Sequence, residues 1–583
     1  MREDFNYYGD WADRRAVVTF HLTLFHQYRT RRVNFETMWE EAAAIAAPEF
    51  MGSFTYGREI APGAKRQQYQ IDSTMAVAGM RFKVIAGWLL TPQNLLWSKV
   101  TCSDPYVKKQ PGVKQYYAEV TRTLWCERYK WEANFVSQND MNMCGLGHFG
   151  NMGMYTDAYD TYLDPKERGL RYLSTPVGEI YIVQDHQRKV VGFVRHFRLN
   201  AQQAVTKFPK AAMPIVEAAL KIGSQQMFDF LHFVKPRTDF DPTAWLSPRG
   251  KKYQSFYIAI QDYELIEEKG YRTLPLAYGR FMQFPEEDYG RGPAQIVQNA
   301  GKTLNAEKRV FLKQGHRAGD PAYIVADIGL TDLKTHSGAW NAGLMTRDGK
   351  PLIQTLPAGE IQITKEMMQD EKDLINSAYL VDLFKLILED PGAMGNPRQV
   401  IEYVNERGII LFPTLGRQCA EYLGPLIDRE LDILSGLRKL PKMPQVLKEA
   451  HGEYEVEYTN PLALAMRGPQ IAGYVRTMEF AAEAIKSGAD PSIFDRFDLD
   501  EAIPEMGDWN MSPENWFSND KKIAASRQAR AQAQAQEQKA KMMPAQAAII
   551  KAQAIAQKAQ AGQNIGGTLS GVPQEQMPQI PGG

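Results

Sequence analysis

Three aspartates stand closest to a recognisable chemistry. Asp320, Asp327 and Asp332 cluster around a strand predicted at AYIVADIG, residues 322–329. Carboxylates in such a group can hold two divalent cations and activate water against a phosphodiester, so this set is the candidate centre of a metal-dependent nuclease. Turn formation accounts for the same residues without chemistry, because loops favour Asp. Cys144 and His148, four apart, would share a helical face, but a structural zinc needs two more ligands and no second pair is spaced for it. His21 and His26, five apart, do not share a face. The chain has no GxxxxGK[ST], no GxSxG, no HExxH and no GxGxxG at a strand–helix junction, so phosphate-loop ATPase, serine hydrolase, zincin and dinucleotide chemistries have no support. The expectation is a protein that is not an enzyme, with no cofactor and no metal.

Basic residues offer a second kind of chemistry, contact with phosphate. Lys302, Arg309 and Lys313 are spaced to share one face of a helix and are the candidate DNA-facing groups; an ordinary charged helix with Glu307 as partner reads equally well. Arg249, Lys251 and Lys252 form a basic turn. Residues 521–560 carry eight Lys or Arg against one Glu, a stretch suited either to nucleic acid or to solubility. The whole chain is neutral, with 68 Lys and Arg against 68 Asp and Glu. Tight duplex binders are usually basic, whereas a passage through which DNA must slide should avoid strong phosphate contacts. Four cysteines without a CxxC predict a reducing compartment. No apolar run reaches membrane-span length, and the polar start MREDFNYYGDWADRR predicts no secretory leader.

The elements that would position these residues are mainly helical. Residues 14–47 read as helix, with a break predicted near Arg29–Asn34. DSTMAVAGMRFKVIAGWLL reads as a helix from an Asp cap to Thr91-Pro92. The chain from Pro111 to about 147 is largely helical. GEIYIVQD and KVVGFVRHF alternate as two or more strands joined at DHQRK, a small antiparallel unit. NAQQAVTKF and AAMPIVEAALKIGSQQMFDF return to helix up to residue 230. LHFVKPR, YQSFYIAI and ELIEEKGY read as strands, and a long helix enters through Gly292-Pro293. Helix is expected again at 364–388, then the turn-rich EDPGAMGNP, then helices to about 486 interrupted by a strand at YEVEYTN. The Ala- and Gln-rich tail allows helix until Gly562, followed by a disordered end.

Six stretches in order resemble the portal, or head-to-tail connector, family of T7-like short-tailed double-stranded DNA phages. They are FETMWEEAAAIAAPEF (35–50), IDSTMAVAGMRFKVIAGWLLTPQNLLWSKV (71–100), STPVGEIYIVQDHQRKVVGFVRHFRLNAQQAVTKF (174–208), YGRGPAQIVQNAGKTLN (289–305), FPTLGRQCAEYLGPLIDRELDILSGLRKLPKMP (412–444) and YTNPLALAMR (458–467). The likeness spans roughly residues 35–470, and the turn-to-helix piece at 289–305 is its most specific part.

The resemblance implies a mainly α fold with α+β parts, assembled as a ring with wing, stem, clip and crown regions. By order along the chain it suggests a wing at 1–205, a first stem helix at 206–230 and a clip at 231–288 carrying Arg249, Lys251 and Lys252. A second stem helix would follow at 289–316, then wing strands and helix at 317–388. A channel loop at 389–399 would present Asp390, Pro391, Met394, Asn396 and Arg398. Wing-to-crown helices would occupy 400–520 and the basic tail 521–583. The implied function is a capsid-vertex channel for packaging and ejection of double-stranded DNA, gripping no particular sequence. Implied partners are about twelve copies of the chain itself, terminase, major capsid protein, scaffolding protein and tail adaptor, with internal core proteins as a further candidate and no membrane. The chain would be made in the host cytoplasm and reside in the virion. A tail adaptor ring and the metal-dependent nuclease are the competing readings.

Overall fold

The computed structural model describes residues 11–55, 70–108, 110–160, 168–209, 211–244, 247–325, 338–346, 348–357, 361–382, 416–449, 453–487, 496–509 and 520–561, with isolated residues between them. It divides into two compact units, Met1–Arg496 and Phe497–Gly583.

Helix α1 (Trp11–Ala46) is unbroken over 36 residues, so the break expected near Arg29–Asn34 is absent. The polar run that suggested it is an anchor point. Arg32, only 1% exposed, donates to the carbonyls of Ile180 at 2.9 Å and Gly178 at 3.0 Å, to the Tyr181 hydroxyl at 2.8 Å and to Glu36 at 2.8 Å. Its guanidinium also lies 3.6 Å from the centre of the Tyr181 ring. A buried guanidinium needs such a set of acceptors because its desolvation is costly.

Helix α2 (Thr74–Leu90) starts where Asp72 accepts the Thr74 N–H at 2.8 Å and ends, as expected, before Pro92. Helices α3 (Pro105–Lys108), α4 (Pro111–Arg128) and α5 (Phe135–Phe149) follow. Gly79 lets α2 come close to α5, since a Cβ there would run into the His148 ring. Gly79→Val is therefore expected to lower the unfolding free energy by about 1–3 kcal/mol, measured as a drop in the urea midpoint at unchanged slope.

Among the described residues the first unit holds four sheets, three of them larger than a three-residue pair. Strand β1 (Ser98–Cys102) pairs antiparallel with β12 (Tyr454–Tyr458). Strands β2 (Asn151–Asp160), β3 (Arg168–Ser174) and β9 (Leu276–Arg280) form an antiparallel sheet in the order β3-β2-β9. The largest sheet has the order β4-β5-β6-β7-β8, from β4 (Ile180–Gln184), β5 (Val190–Asn200), β6 (Met227–Pro236), β7 (Tyr253–Ala259) and β8 (Glu264–Tyr271). The small antiparallel unit expected at 178–197 is thus one edge of a larger sheet. β5 and β6 are paired from Phe193↔Val234 to Asn200↔Met227. The N-terminal half of α1 lies on this sheet, burying Val18 and Phe25 against Tyr181, Val194, Leu231 and Phe233.

The helix expected to continue to residue 230 does not. Helix α6 (Ala201–Lys207) opens on a capping box of Asn200 and Gln203 and ends at Phe208. Helix α7 (Pro214–Ile222) stops at Gly223, which takes the left-handed φ of 71°, a stop that glycine allows at no steric cost. QQMFDF then enters β6. Helix α8 (Pro293–Ile296) turns at Val297 into α9 (Gln298–Gly319), so the long helix expected from Gly292 bends after one turn. Short strands β10 (Tyr323–Val325) and β11 (Ile353–Thr355) precede α10 (Ile361–Ala378). Helix α11 (Gly424–Gly436) continues from a π-helical turn at Cys419–Leu423 into the main core. Helices α12 (Gln445–Glu449) and α13 (Pro461–Lys486) complete the described part of this unit. The second unit holds α14 (Leu499–Trp509) and α15 (Asp520–Ala561), one 42-residue helix where the sequence allows helix up to Gly562.

Candidate functional site

Helices α9 and α10 form a hairpin that runs from a buried base to an exposed tip. Their contacts run in opposite senses: Thr364 donates to Gln314 at 3.0 Å, while Glu307 lies near Glu371 and Asp370. Partial burial, together with those two carboxylates, pushes the Glu307 carboxyl above its ordinary range. At the base, Ala300, Gly301 and Leu304 of α9 are buried, as are Ile375, Tyr379 and Val381 on and just after α10. Toward the tip Leu312, Ile363 and Met367 are exposed, and so is every residue of β10.

The residue groups that the sequence suggests fare differently in the structure. Lys302, Arg309 and Lys313 do share one exposed face of α9, opposite the side that meets α10. Lys302 is occupied there: it forms a 2.9 Å ion pair with Glu41 of α1, which also accepts from Gln298 at 2.7 Å. These contacts hold the Glu41 carboxyl below its ordinary value. Arg309 and Lys313 have no carboxylate within ion-pair distance among the described residues. Arg249, Lys251 and Lys252 do not converge. Arg249 sits in a 3-10 turn capped by Ser247, Lys252 is exposed, and Lys251 lines a cleft. Asp390, Pro391, Met394, Asn396 and Arg398, with the rest of 389–399, lie outside the described residues, as do Asp327 and Asp332.

That cleft, of about 540 Å³, lies between α6, the ends of β7 and β8, β2 and α11. Sequence reasoning missed it, since no spacing brings Lys207, Lys251, Lys269, Arg272 and Arg429 together. Its three carboxylates have partners within it. Arg429 binds Asp157 and Asp432 at 3.1 Å each, and Lys269 binds Glu267 at 2.9 Å. Lys207 and Lys251 are left over. Lys207 reaches solvent, yet its ammonium sits 4.3 Å from the Phe197 ring centre and 5.2 Å from that of Tyr257. Desolvation there, with Arg195 and Lys269 nearby, brings its pKa down to about 8. The cleft carries a local excess of positive charge in an otherwise neutral chain.

Cys144 and His148 do not make a metal site. His148 is buried between α2 and Tyr379, and burial lowers its pKa to about 4. Among the described residues no group of three or more His, Cys, Asp or Glu could hold a metal ion, and no helix is long and apolar enough to cross a membrane.

Sheets, helices and a charged helical hairpin with an exposed tip thus make up the described part of the first unit. The bacteriophage head to tail connecting protein family matches residues 21–515, and this chain belongs to that family. It is 24% identical over 493 residues to the portal protein of Salmonella phage epsilon15, covering 82% of this chain and 84% of that protein. To the probable portal protein of Bordetella phage BPP-1 it is 23% identical over 499 residues, covering 82% and 85%. The resemblance read at 35–470 falls inside the matched range, so the portal assignment stands.

Proposed function

We propose that this chain is the subunit of a closed ring at one capsid vertex, through which double-stranded DNA is packaged and ejected. The α9–α10 hairpin carries this reading. The expected order of parts is stem helix, clip, stem helix, and two helices side by side that flank an exposed two-stranded excursion supply that order within 298–378. In this reading α9 and α10 are the stem and residues 320–360 the clip. This reading puts 206–230 and 231–288 in the wing rather than in the first stem helix and the clip that the resemblance suggests; the end of α7 at Ile222 and the hydrogen bonding of β6 to β5 support it. Residues 389–399 remain the channel loop, and the chain from α11 onward leads to the crown, with α15 as its extension.

The ring would be passive. Terminase, which hydrolyses ATP, would dock at the clip, and tail adaptor would follow it there. Scaffolding and major capsid proteins would meet the wing, as the ring nucleates the procapsid in the host cytoplasm, and internal core proteins would meet the crown. DNA contact would be through backbone charge, without sequence preference.

Native mass spectrometry with particle averaging tests this. The expected result is a closed ring of about twelve copies with a bore wide enough for a duplex. Monomers or dimers at every concentration, together with magnesium-dependent cleavage of linear DNA, would replace it with the nuclease reading. A ring that binds tail protein but not terminase would mark an adaptor.

A further inference from the structure

The two outer faces of the hairpin are oppositely charged. Helix α9 carries Lys302, Lys308, Arg309, Lys313 and Arg317 against Glu307 alone. Helix α10 carries Glu366, Asp370, Glu371 and Asp373 against Lys365 and Lys372. Rotation of about 100° per residue separates these charges by face. On α9, Lys302, Arg309, Lys313 and His316 fall within about 60° of one another, on the side turned away from α10, and all are exposed. On α10, Glu366, Asp370 and Asp373 fall in an equally narrow sector, centred away from the side on which Thr364 meets Gln314 of α9, and all are exposed; of the three, Asp370 is the one whose charge still reaches Glu307. Within the described residues, the partners of Glu366 and Asp373 are neutral glutamines of their own helix, Gln362 and Gln369, each at 2.8 Å. Among the described residues no cation is ion-paired with the stripe.

Apolar residues run beside the charges. Ile363, Met367 and Leu374 form a stripe along the acidic flank of α10 and are 51–54% exposed. Val310, beside the basic stripe of α9, is 49% exposed. Such a row on a surface helix normally faces a partner. The hairpin thus has a basic-and-apolar side and an acidic-and-apolar side that point away from each other. Two like surfaces would mate through a two-fold. Two unlike, complementary surfaces on opposite sides mate head to tail, and such contacts close into a ring when the rotation from copy to copy divides a full turn.

We propose that the α9 face of one copy seats on the α10 face of the next, with Arg309, Lys313 and Arg317 of one copy opposite Glu366, Asp370 and Asp373 of its neighbour and the Ile363–Met367–Leu374 stripe covered between them. The proposal rests on the ring reading above and adds the faces that build the ring. It also gives the basic stripe of α9 a protein partner rather than DNA. Lys302 already binds Glu41 and takes no part.

A charge-swap experiment on the full chain tests it. One variant carries R309E and K313E, a second carries D370K and D373K, and a third carries all four. Circular dichroism and melting temperature check that each folds as the unaltered protein does. The first two should raise the concentration needed for ring formation on the order of tenfold or more, since like charges then face each other. The third should restore it. An equimolar mixture of the first two should also assemble, into rings in which the variants alternate, visible as an even-copy heteromer by native mass spectrometry. Rings that form equally well from each charge-reversed variant alone would overturn this interface and leave the ring reading standing. Failure of the four-fold variant and of the mixture, with folding intact, would overturn it too. An unaltered chain that never forms rings would overturn both.

Discussion

Replacing Arg128 by methionine lowers the unfolding free energy by about 3–5 kcal/mol. Arg128 is at the end of α4 and Glu430 is in α11; both side chains are at most 1% exposed. The guanidinium meets the carboxylate in a two-point contact at 3.0 and 2.5 Å, Tyr172 adds a hydrogen bond at 2.6 Å, and the Trp97 ring centre lies 4.2 Å from the guanidinium carbon. Removing the cation leaves a buried carboxylate with a single hydroxyl for a partner, which is far more costly than losing the net worth of the pair. The double variant Arg128→Met with Glu430→Leu should recover most of the loss, because both charges are then gone. Urea unfolding of the two single variants and the double closes the cycle. A double variant no more stable than the singles would assign the effect to packing instead.

Acidification from pH 6.5 to 4 is the second large effect. His21, His148 and His232 are buried and neutral. Burial brings His21 to about 4, helped by Lys235 and opposed by its hydrogen bond to Val17. It brings His148 to about 4 as well, with Lys83 adding to the shift. His232, stacked on Tyr257 at 4.0 Å and hydrogen-bonded to Ser255, is pushed well below its ordinary value by burial and by Lys207, Arg195 and Lys269. The unfolded chain takes up protons at these sites near pH 6.5, while the folded chain does not until about pH 4. Stability therefore falls as the pH drops through this window, by up to about 3 kcal/mol for each of His21 and His148. Burial pushes the Asp229 carboxyl up, but hydrogen bonds from His196 and Arg198 bring it to about 2; its stabilisation is therefore lost mainly below pH 4 and adds only roughly a few tenths of a kcal/mol to the loss in this window. The melting temperature measured at intervals from pH 7 to 4 reads the slope. His21→Phe, whose ring can join Phe233 and Phe256, should make the curve shallower; an unchanged curve would clear His21 of the role.

Local signals in the sequence were reliable where they were self-contained. The Asp72 start and Pro92 stop of α2, the alternation in β4 to β8 and the strand at 454–458 depend on neighbours along the chain. Signals that needed a distant partner misled. Arg29–Asn34 reads as a break until Val177–Tyr181 supplies acceptors for Arg32. NMGMYTDAYD becomes β2 only because β3 and β9 flank it, and its own run of Gly, Asp and Thr hides it. The end of α7 was legible in Gly223, but the following QQMFDF suits helix and strand alike. Of the site residues, the α9 stripe could be found from spacing alone. Its pairing of Lys302 with Glu41 could not, nor could the cleft, whose five cations come from four separate stretches of the chain.

The β1–β12 ladder ties Ser98–Cys102 to a strand more than 350 residues later, and the Thr459 N–H donates to the Trp97 carbonyl at 2.9 Å beside it. At ribosomal rates of about 5–20 residues per second, β1 waits roughly 20–70 s after synthesis before its partner exists. The first unit therefore cannot close domain by domain as it emerges; its last strand locks its first. An open strand edge is a template for pairing with other chains, so nascent copies side by side on one message are exposed to mispairing throughout that wait. The same delay acts as a quality check, because a chain cut short before residue 454 lacks the strand that completes the body.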